Sequence, residues 1–335
     1  MSAKSAIFRG IAWVLVLVAL FFVCRGRRPK VDSVTFMVFN TVCKVTVYGD
    51  VKTDKAYQEL IQKMGILHNL IYAYAPESEL SCLNSTAFQE EFHCSDELWK
   101  ILCAARQAYA ETEGAFDPTV GPLMKLWGFH GKRNTIPTEA EILEALAKVG
   151  LDKVVFDDEK HMVRFSRDGL SLDFGGIAKG YACDIVAEIL LAHGIQTYMI
   201  DLGGNIQLSE LPPKGQKLFK VGIRDPNNKE QVLEVLELKG CSIATSGNYE
   251  RSRVIDGKRF GHIMDPKTGR PGEFHASVTA ITPRGVDSDV FSTAVFVRGE
   301  PLARKLADRH PGTSFLIVDE ETPAKQPLKT TRVPQ

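Results

Sequence analysis

The chain has no two cysteines at the two-residue spacing of a zinc ribbon or a dithiol redox motif. Its seven cysteines (24, 43, 82, 94, 103, 183 and 241) are odd in number and irregularly spaced. Buried free thiols are the expected state, and an export-dependent disulfide stays open without a nameable pair. Charge of one sign is not in excess: 41 Lys plus Arg balance 41 Asp plus Glu, which argues against a nucleic-acid footprint. The glycine pairs do not have Gly-x-Gly-x-x-Gly spacing, and none runs into Gly-Lys-Ser/Thr, so neither a Rossmann fingerprint nor a P-loop is present. Ser246 lacks the flanking glycines of a nucleophile elbow. No internal repeat is visible.

Long apolar runs are also scarce. The one that stands out, Ile11 to Cys24, is short for a full span and is flanked by Lys4 and Arg9 before it and by Arg25, Arg27, Arg28 and Lys30 after it. An uncleaved N-terminal membrane anchor over residues 1–30 is the expectation, with a cleaved signal or a lipid-modified Cys24 as the alternative. Bulky Phe21, Phe22 and Val23 suit a lipobox poorly. Positive charge on both flanks leaves orientation open.

What remains is ordinary globular composition, 44% apolar and 24% charged over 335 residues. Val34 to Tyr48 alternates as a strand does. Helices are expected from Asp54 to Tyr72, from Ser95 as N-cap to Glu113, and from Thr138 to Lys148, where Thr138 and Glu141 have capping-box spacing. Lys153–Phe156 and Met162–Phe165 read as a hairpin, and Ile177–His193 as a helix closed by Gly194. Strands follow at 197–201, 218–223, 232–238, 277–281 and 313–318, with helices at 287–297 and 301–309. The mixture without βαβ rhythm argues α+β. Residues 321–335 are polar and Pro-rich, as a flexible tail is.

Five stretches carry chemistry. Gly114–Pro122 is a stiff loop holding one aromatic and one acid, Phe116 and Asp117, which can hold a planar, polar ligand; taken alone, a structural corner with Asp117 capping a turn is the simpler reading. Leu172–Gly180 runs from a strand through paired glycines into a helix whose first turn holds Lys179, a place where an anion can be bound. Asp201–Asn205 ends a strand in another glycine pair. His262 precedes a turn at 265–269 and is a candidate base. Asp289 and Thr293 stand at i and i+4, giving a carboxylate and a hydroxyl on one helix face, the oxygen chemistry that suits Mg²⁺.

Together these stretches resemble the ApbE family, the FAD:protein FMN transferases, over about residues 33–319. The likeness runs in order through Tyr74–Asn84, Gly114–Phe129, Leu172–Asp184, Leu202–Ile206, Val221–Pro226, Thr245–Arg251, His262–Gly269 and Ser277–Thr293. It implies a single α+β domain (residues 31–320) with two mixed β-sheet layers flanked by helices. It implies FAD contacts from Phe39, Tyr74, Ala115, Phe116, Asp117, Asp173, Lys179 and Ile263. Asp289, Thr293 and the Gly176 carbonyl become Mg²⁺ ligands, and His262 the base on the acceptor hydroxyl. The chain departs from the family where Phe39-Asn40-Thr41 replaces Met-Gly-Thr, and Gly176 stands where alanine is common.

The implied reaction is Mg²⁺-dependent transfer of FMN from FAD to a Thr or Ser hydroxyl of another protein, with release of AMP. The acceptor carries a Ser/Thr-Gly-Ala-Ser/Thr type segment in a subunit of a membrane redox complex. An enzyme held at the cell inner membrane, with its domain on the extracytoplasmic side, fits that partner. The alternatives are an FAD pyrophosphatase and a non-catalytic FAD-binding protein.

Overall fold

The structure is a computed structural model describing residues 30–73, 75–131, 133–228, 230–248, 252–272, 275–319 and 330–334. The expected anchor (save Lys30) and Tyr74 lie outside these residues. Among the described residues no helix is long and apolar enough to cross a membrane.

The chain opens with β1 (Val31–Val38) and β2 (Thr41–Tyr48), paired antiparallel. The stretch expected as one strand is thus a hairpin, turning at Phe39 and Asn40 with φ of 51° and 57°. A two-residue hairpin loop of the type I′ class has positive φ at both positions, which Asn tolerates and Phe does not favour. Asn40 therefore does supply the left-handed backbone a glycine would give. Its Nδ2 also donates to the Tyr72 hydroxyl at 2.8 Å.

Helix α1 (Asp54–Ile71) buries Leu60, Met64, Leu67 and Ile71 along one stripe, each contributing about 1.5–3 kcal/mol by burial. α2 (Glu79–Thr86) and β3 (Phe92–His93) lead into α3 (Asp96–Glu111), whose Ser95 cap accepts from the Leu98 N–H at 3.2 Å. α4 (Gly121–Leu126) and α5 (Glu139–Leu146) follow, the latter with the expected capping box closed between Thr138 and Glu141. β4 (Val154–Asp157) and β5 (Met162–Phe165) form the expected hairpin, and α6 (Ala178–Ala192) the expected helix.

The rest is mostly strand: β6 (Tyr198–Leu202), β7 (Asn205–Leu208), β8 (Phe219–Arg224), β9 (Val232–Leu238), β10 (Ser242–Gly247), β11 (Ser252–Ile255), β12 (Lys258–Gly261), β13 (Met264–Asp265), β14 (Arg270–Pro271) and β15 (His275–Thr282). α7 (Gly285–Arg298), α8 (Glu300–Arg309), β16 (Ser314–Asp319) and β17 (Thr330–Val333) complete it.

One eight-stranded sheet, in the order β1-β2-β6-β7-β10-β15-β16-β17, organises the molecule. Each of its pairings is antiparallel. The α+β class stands, but in place of two mixed layers there is this sheet and small separate ribbons. The main core lies between the sheet and the helices, joining Val45, Ile200, Val278 and Ile317 to Leu60, Val186 and Phe291. The β8–β9 ribbon builds a second core through Phe219, Val221 and Leu236 against Ile243 and Leu316. The expected tail is not wholly loose. β17 joins the sheet edge beside β16 and buries Val333.

Helix α7 begins at Gly285, two residues before the expected start. Its first N–H groups are capped from a distant element: the Asp184 carboxylate accepts from Gly285 at 2.6 Å and Val286 at 2.9 Å. Burial raises the Asp184 pKa, partly offset by those two N–H groups. Asp184→Ala leaves the buried donors unpaired, and a loss of about 1–3 kcal/mol in urea unfolding is expected. An unchanged midpoint would contradict this capping role.

Candidate active site

Helices α6 and α7 meet at two glycines. A Cβ on Gly180 would stand 2.2 Å from the Gly285 carbonyl oxygen and 2.7 Å from the Asp289 Cβ. Only a bare backbone permits that approach. It lets the Gly180 N–H donate to Asp289 Oδ2 at 2.9 Å, while Lys179 Nζ lies 3.3 Å from Oδ1. Asp289 is 4% exposed, so this buried carboxylate is held by one amide and one ammonium. Gly180→Ala is expected to force the helices apart and cost about 1–3 kcal/mol, read as a lower urea midpoint. A midpoint at the parent value would refute the tight crossing.

Thr293 stands one turn on from Asp289 and donates from Oγ1 to the Asp289 carbonyl oxygen at 3.1 Å. The same hydroxyl lies 3.2 Å from Ser246 Oγ on β10. A Cβ on Gly176 would meet Thr293 Oγ1 at 3.4 Å and the Phe116 ring at 3.3 Å. Gly176 is therefore brought to α7, where Thr293 stands one turn on from Asp289, so the three residues gather from two separate stretches. The Asp289 carboxylate and the Thr293 hydroxyl, with the Gly176 backbone beside them, are hard-oxygen donors of the kind that suits Mg²⁺. Among the described residues no group of three His, Cys, Asp or Glu forms a denser metal site.

This constellation adjoins a cleft of about 840 Å³, open between the N-terminal end of α6, the sheet and β8. Phe39 stands at its β1–β2 rim, with Asp173, Lys179 and His262 also in its wall. The glycine pair after β6 is the hairpin turn to β7, with Gly203 and Gly204 at φ of 66° and 94°; both border the cleft. Thr41 packs so closely on Gly203 that a Cβ there would come within 2.4 Å of its hydroxyl oxygen.

The acids differ. Burial works against ionisation of Asp173, yet the nearby His130, the Gly175 N–H and His262 outweigh it and hold its carboxyl below the ordinary value. Burial raises the pKa of Asp117, offset in part by Thr119. Asp117 Oδ1 accepts from the Thr119 N–H at 2.8 Å and from its hydroxyl at 2.6 Å, closing the loop on itself.

His262 sits in a loop fixed from α7. Arg298 Nη1 donates to Asp265 Oδ1 at 2.9 Å, and Asp265 also organises the turn through Lys267 and Thr268. The helix that carries Asp289 and Thr293 therefore anchors the candidate base as well.

Of the residues expected at the site, Phe39, Asp173, Lys179 and His262 share the cleft wall. Gly176, Asp289 and Thr293 gather beside Lys179. Phe116 reaches Gly176, whereas Ala115, Asp117 and Ile263 are buried and are not in the cleft wall. Sequence reasoning missed His130, and it weighed Ser246 only as a nucleophile, not as a neighbour of Thr293. His130 directly follows the Gly114–Phe129 stretch, but only the fold places it beside Asp173.

An antiparallel sheet backed by helices carries a helix N-terminus, a lysine and a buried carboxylate that meet beside one cleft, an arrangement suited to an anionic ligand. The sequence model of the ApbE family matches residues 39–317, and the chain belongs to that family. The FAD:protein FMN transferase of Escherichia coli (strain K12) is 30% identical over 322 residues, covering 91% of this chain and 92% of that one. The flavin transferase ApbE from Vibrio cholerae superposes with a TM-score of 0.80 at 27% identity, over 91% of this chain and 97% of that one. The apbe protein from Thermotoga maritima superposes with a TM-score of 0.80 at 30% identity, over 90% and 97% of the two chains.

Proposed function

We propose that the chain transfers FMN from FAD to a Ser or Thr hydroxyl of a second protein. The observation that carries this reading is the meeting of the α6 N-terminus, Lys179 and Asp289 beside the cleft that holds His262. A helix N-terminus and a lysine favour the pyrophosphate that joins the two halves of FAD. The bond that forms joins the acceptor oxygen to the FMN phosphorus, and the bond that breaks frees AMP.

In this reading His262 takes the hydroxyl proton as the new bond forms. Lys179, now paired with Asp289, can turn to a phosphate oxygen. Phe39 and Asp173 hold the flavin substrate in the cleft, with Tyr74, Ala115, Phe116, Asp117 and Ile263 assigned to FAD by the family likeness. Gly176, Asp289 and Thr293 would hold Mg²⁺, which when bound neutralises charge growing on the phosphate oxygens and the leaving group. The acceptor carries a Ser/Thr-Gly-Ala-Ser/Thr type segment in a membrane redox complex, and an N-terminal anchor would keep the enzyme at that membrane.

The purified chain, given FAD and Mg²⁺, is expected to release FMN slowly alone and to consume FAD rapidly once an acceptor is added. Fast FMN release that an acceptor does not alter would make it a pyrophosphatase instead.

A further inference from the structure

The stretch Trp127–His130 at the end of α4 touches both sides of the chemistry. Trp127 Nε1 donates to the Gly269 carbonyl at 2.8 Å, tying α4 to the turn after His262. Gly128, at φ 75°, redirects the chain, and its carbonyl accepts from Arg253. The Phe129 ring meets His262 edge-on, with centroids 6.4 Å apart and planes at 60°. His130 Nε2 lies 2.7 Å from Asp173 Oδ2, and the two side chains are 16% and 11% exposed.

The other oxygen, Asp173 Oδ1, accepts from the Gly175 N–H at 2.6 Å. The Asp173 N–H donates to the Pro118 carbonyl at 2.7 Å, fixing the backbone beneath. His130 and Gly175 thus hold one oxygen each and set the plane of the carboxylate at the cleft wall. Without the imidazole, Oδ2 loses its 2.7 Å neighbour and the carboxylate can rotate about its last bond.

We infer that His130 is a positioning residue for the flavin substrate, fixing the Asp173 carboxylate where it accepts from an N–H or O–H of FAD. The inference rests on the FAD-binding role proposed for Asp173. With Phe129 against His262, one short segment then sets the substrate contact and the base relative to each other.

Titration of the full chain with FAD, followed by flavin fluorescence, tests this without an acceptor. His130→Ala is expected to weaken FAD binding about tenfold, as loss of a hydrogen bond to a carboxylate does. In turnover the loss should fall on KM for FAD more than on kcat. His130→Gln, whose amide can donate to Oδ2, should recover most of the affinity, and the shorter His130→Asn should not. Asp173→Ala and the Asp173→Ala/His130→Ala pair should bind FAD equally weakly, since the two residues act through one contact. Parent-like binding in His130→Ala would overturn the inference, as would losses that multiply in the pair. Should His130→Ala lose its cooperative melt, the Gln and Asn variants carry the comparison, and equal affinity in both would overturn it. A chain that binds FAD in this pattern yet transfers no FMN refutes the transfer reading alone.

Discussion

Asp289→Ala is expected to abolish FMN transfer, a loss of about a thousandfold or more, while part of the FAD affinity survives. The carboxylate is the charged member of the Gly176, Asp289 and Thr293 set, and it also takes the Gly180 N–H and the Lys179 ammonium. Its removal therefore strips the proposed Mg²⁺ site and leaves Lys179 without its carboxylate partner. Most cleft-wall contacts, from Phe39 to His262, do not depend on it. Asp289→Asn separates chemistry from folding. Its side-chain oxygen can still accept from Gly180, so the unfolding midpoint should stay near the parent value while transfer is lost. Chelation of divalent cations should reproduce the same loss in the parent protein. Full transfer by Asp289→Ala would refute the metal assignment, and full transfer under chelation would do so independently.

His262→Ala is expected to lower kcat by roughly a hundredfold to ten-thousandfold, the range for loss of a positioned general base. The effect should fall on kcat, because in the proposed mechanism the imidazole acts on the acceptor hydroxyl and not on FAD. Some loss of FAD affinity is expected too, since the His262 ring lines the cleft and meets Phe129, the neighbour of His130, edge-on. The loop itself should persist, because Arg298, Lys267 and Thr268 fix Asp265 without the imidazole. Single-turnover measurement with bound FAD separates the two effects. A variant that transfers at the parent rate once saturated with FAD would remove His262 from the chemistry.

Local signals made much of the helical frame legible. Ser95 and the Thr138–Glu141 pair cap their helices as their spacing implied, because a cap is decided within one turn. The apolar stripe of α1 matched for the same reason. Phe39-Asn40 hid a hairpin turn because Phe seldom takes positive φ, and the strand alternation continues on either side. β10 hid as well. Its Ser242, Thr245 and Ser246 look like loop residues, yet each finds a hydroxyl partner across the fold, in Ser288, Thr279 and Ser292.

The site divides in the same way. The i, i+4 relation of Asp289 and Thr293 was readable on one helix. The contact of Asp289 with Lys179, more than a hundred residues earlier, needs the Gly180–Gly285 crossing that no local pattern announces. The stiff loop at Asp117 reads as a corner from its own residues, and the carboxylate accepts from Thr119 two residues on; an FAD contact there comes from the family likeness and is a proposal.

The most direct measurement is the intact mass of a protein bearing a Ser/Thr-Gly-Ala-Ser/Thr segment, taken after incubation with the full chain, FAD and Mg²⁺. The account predicts a gain of one FMN less one water, lost when the acceptor hydroxyl residue is replaced by Ala. FAD consumed to FMN and AMP with the acceptor mass unchanged would contradict it.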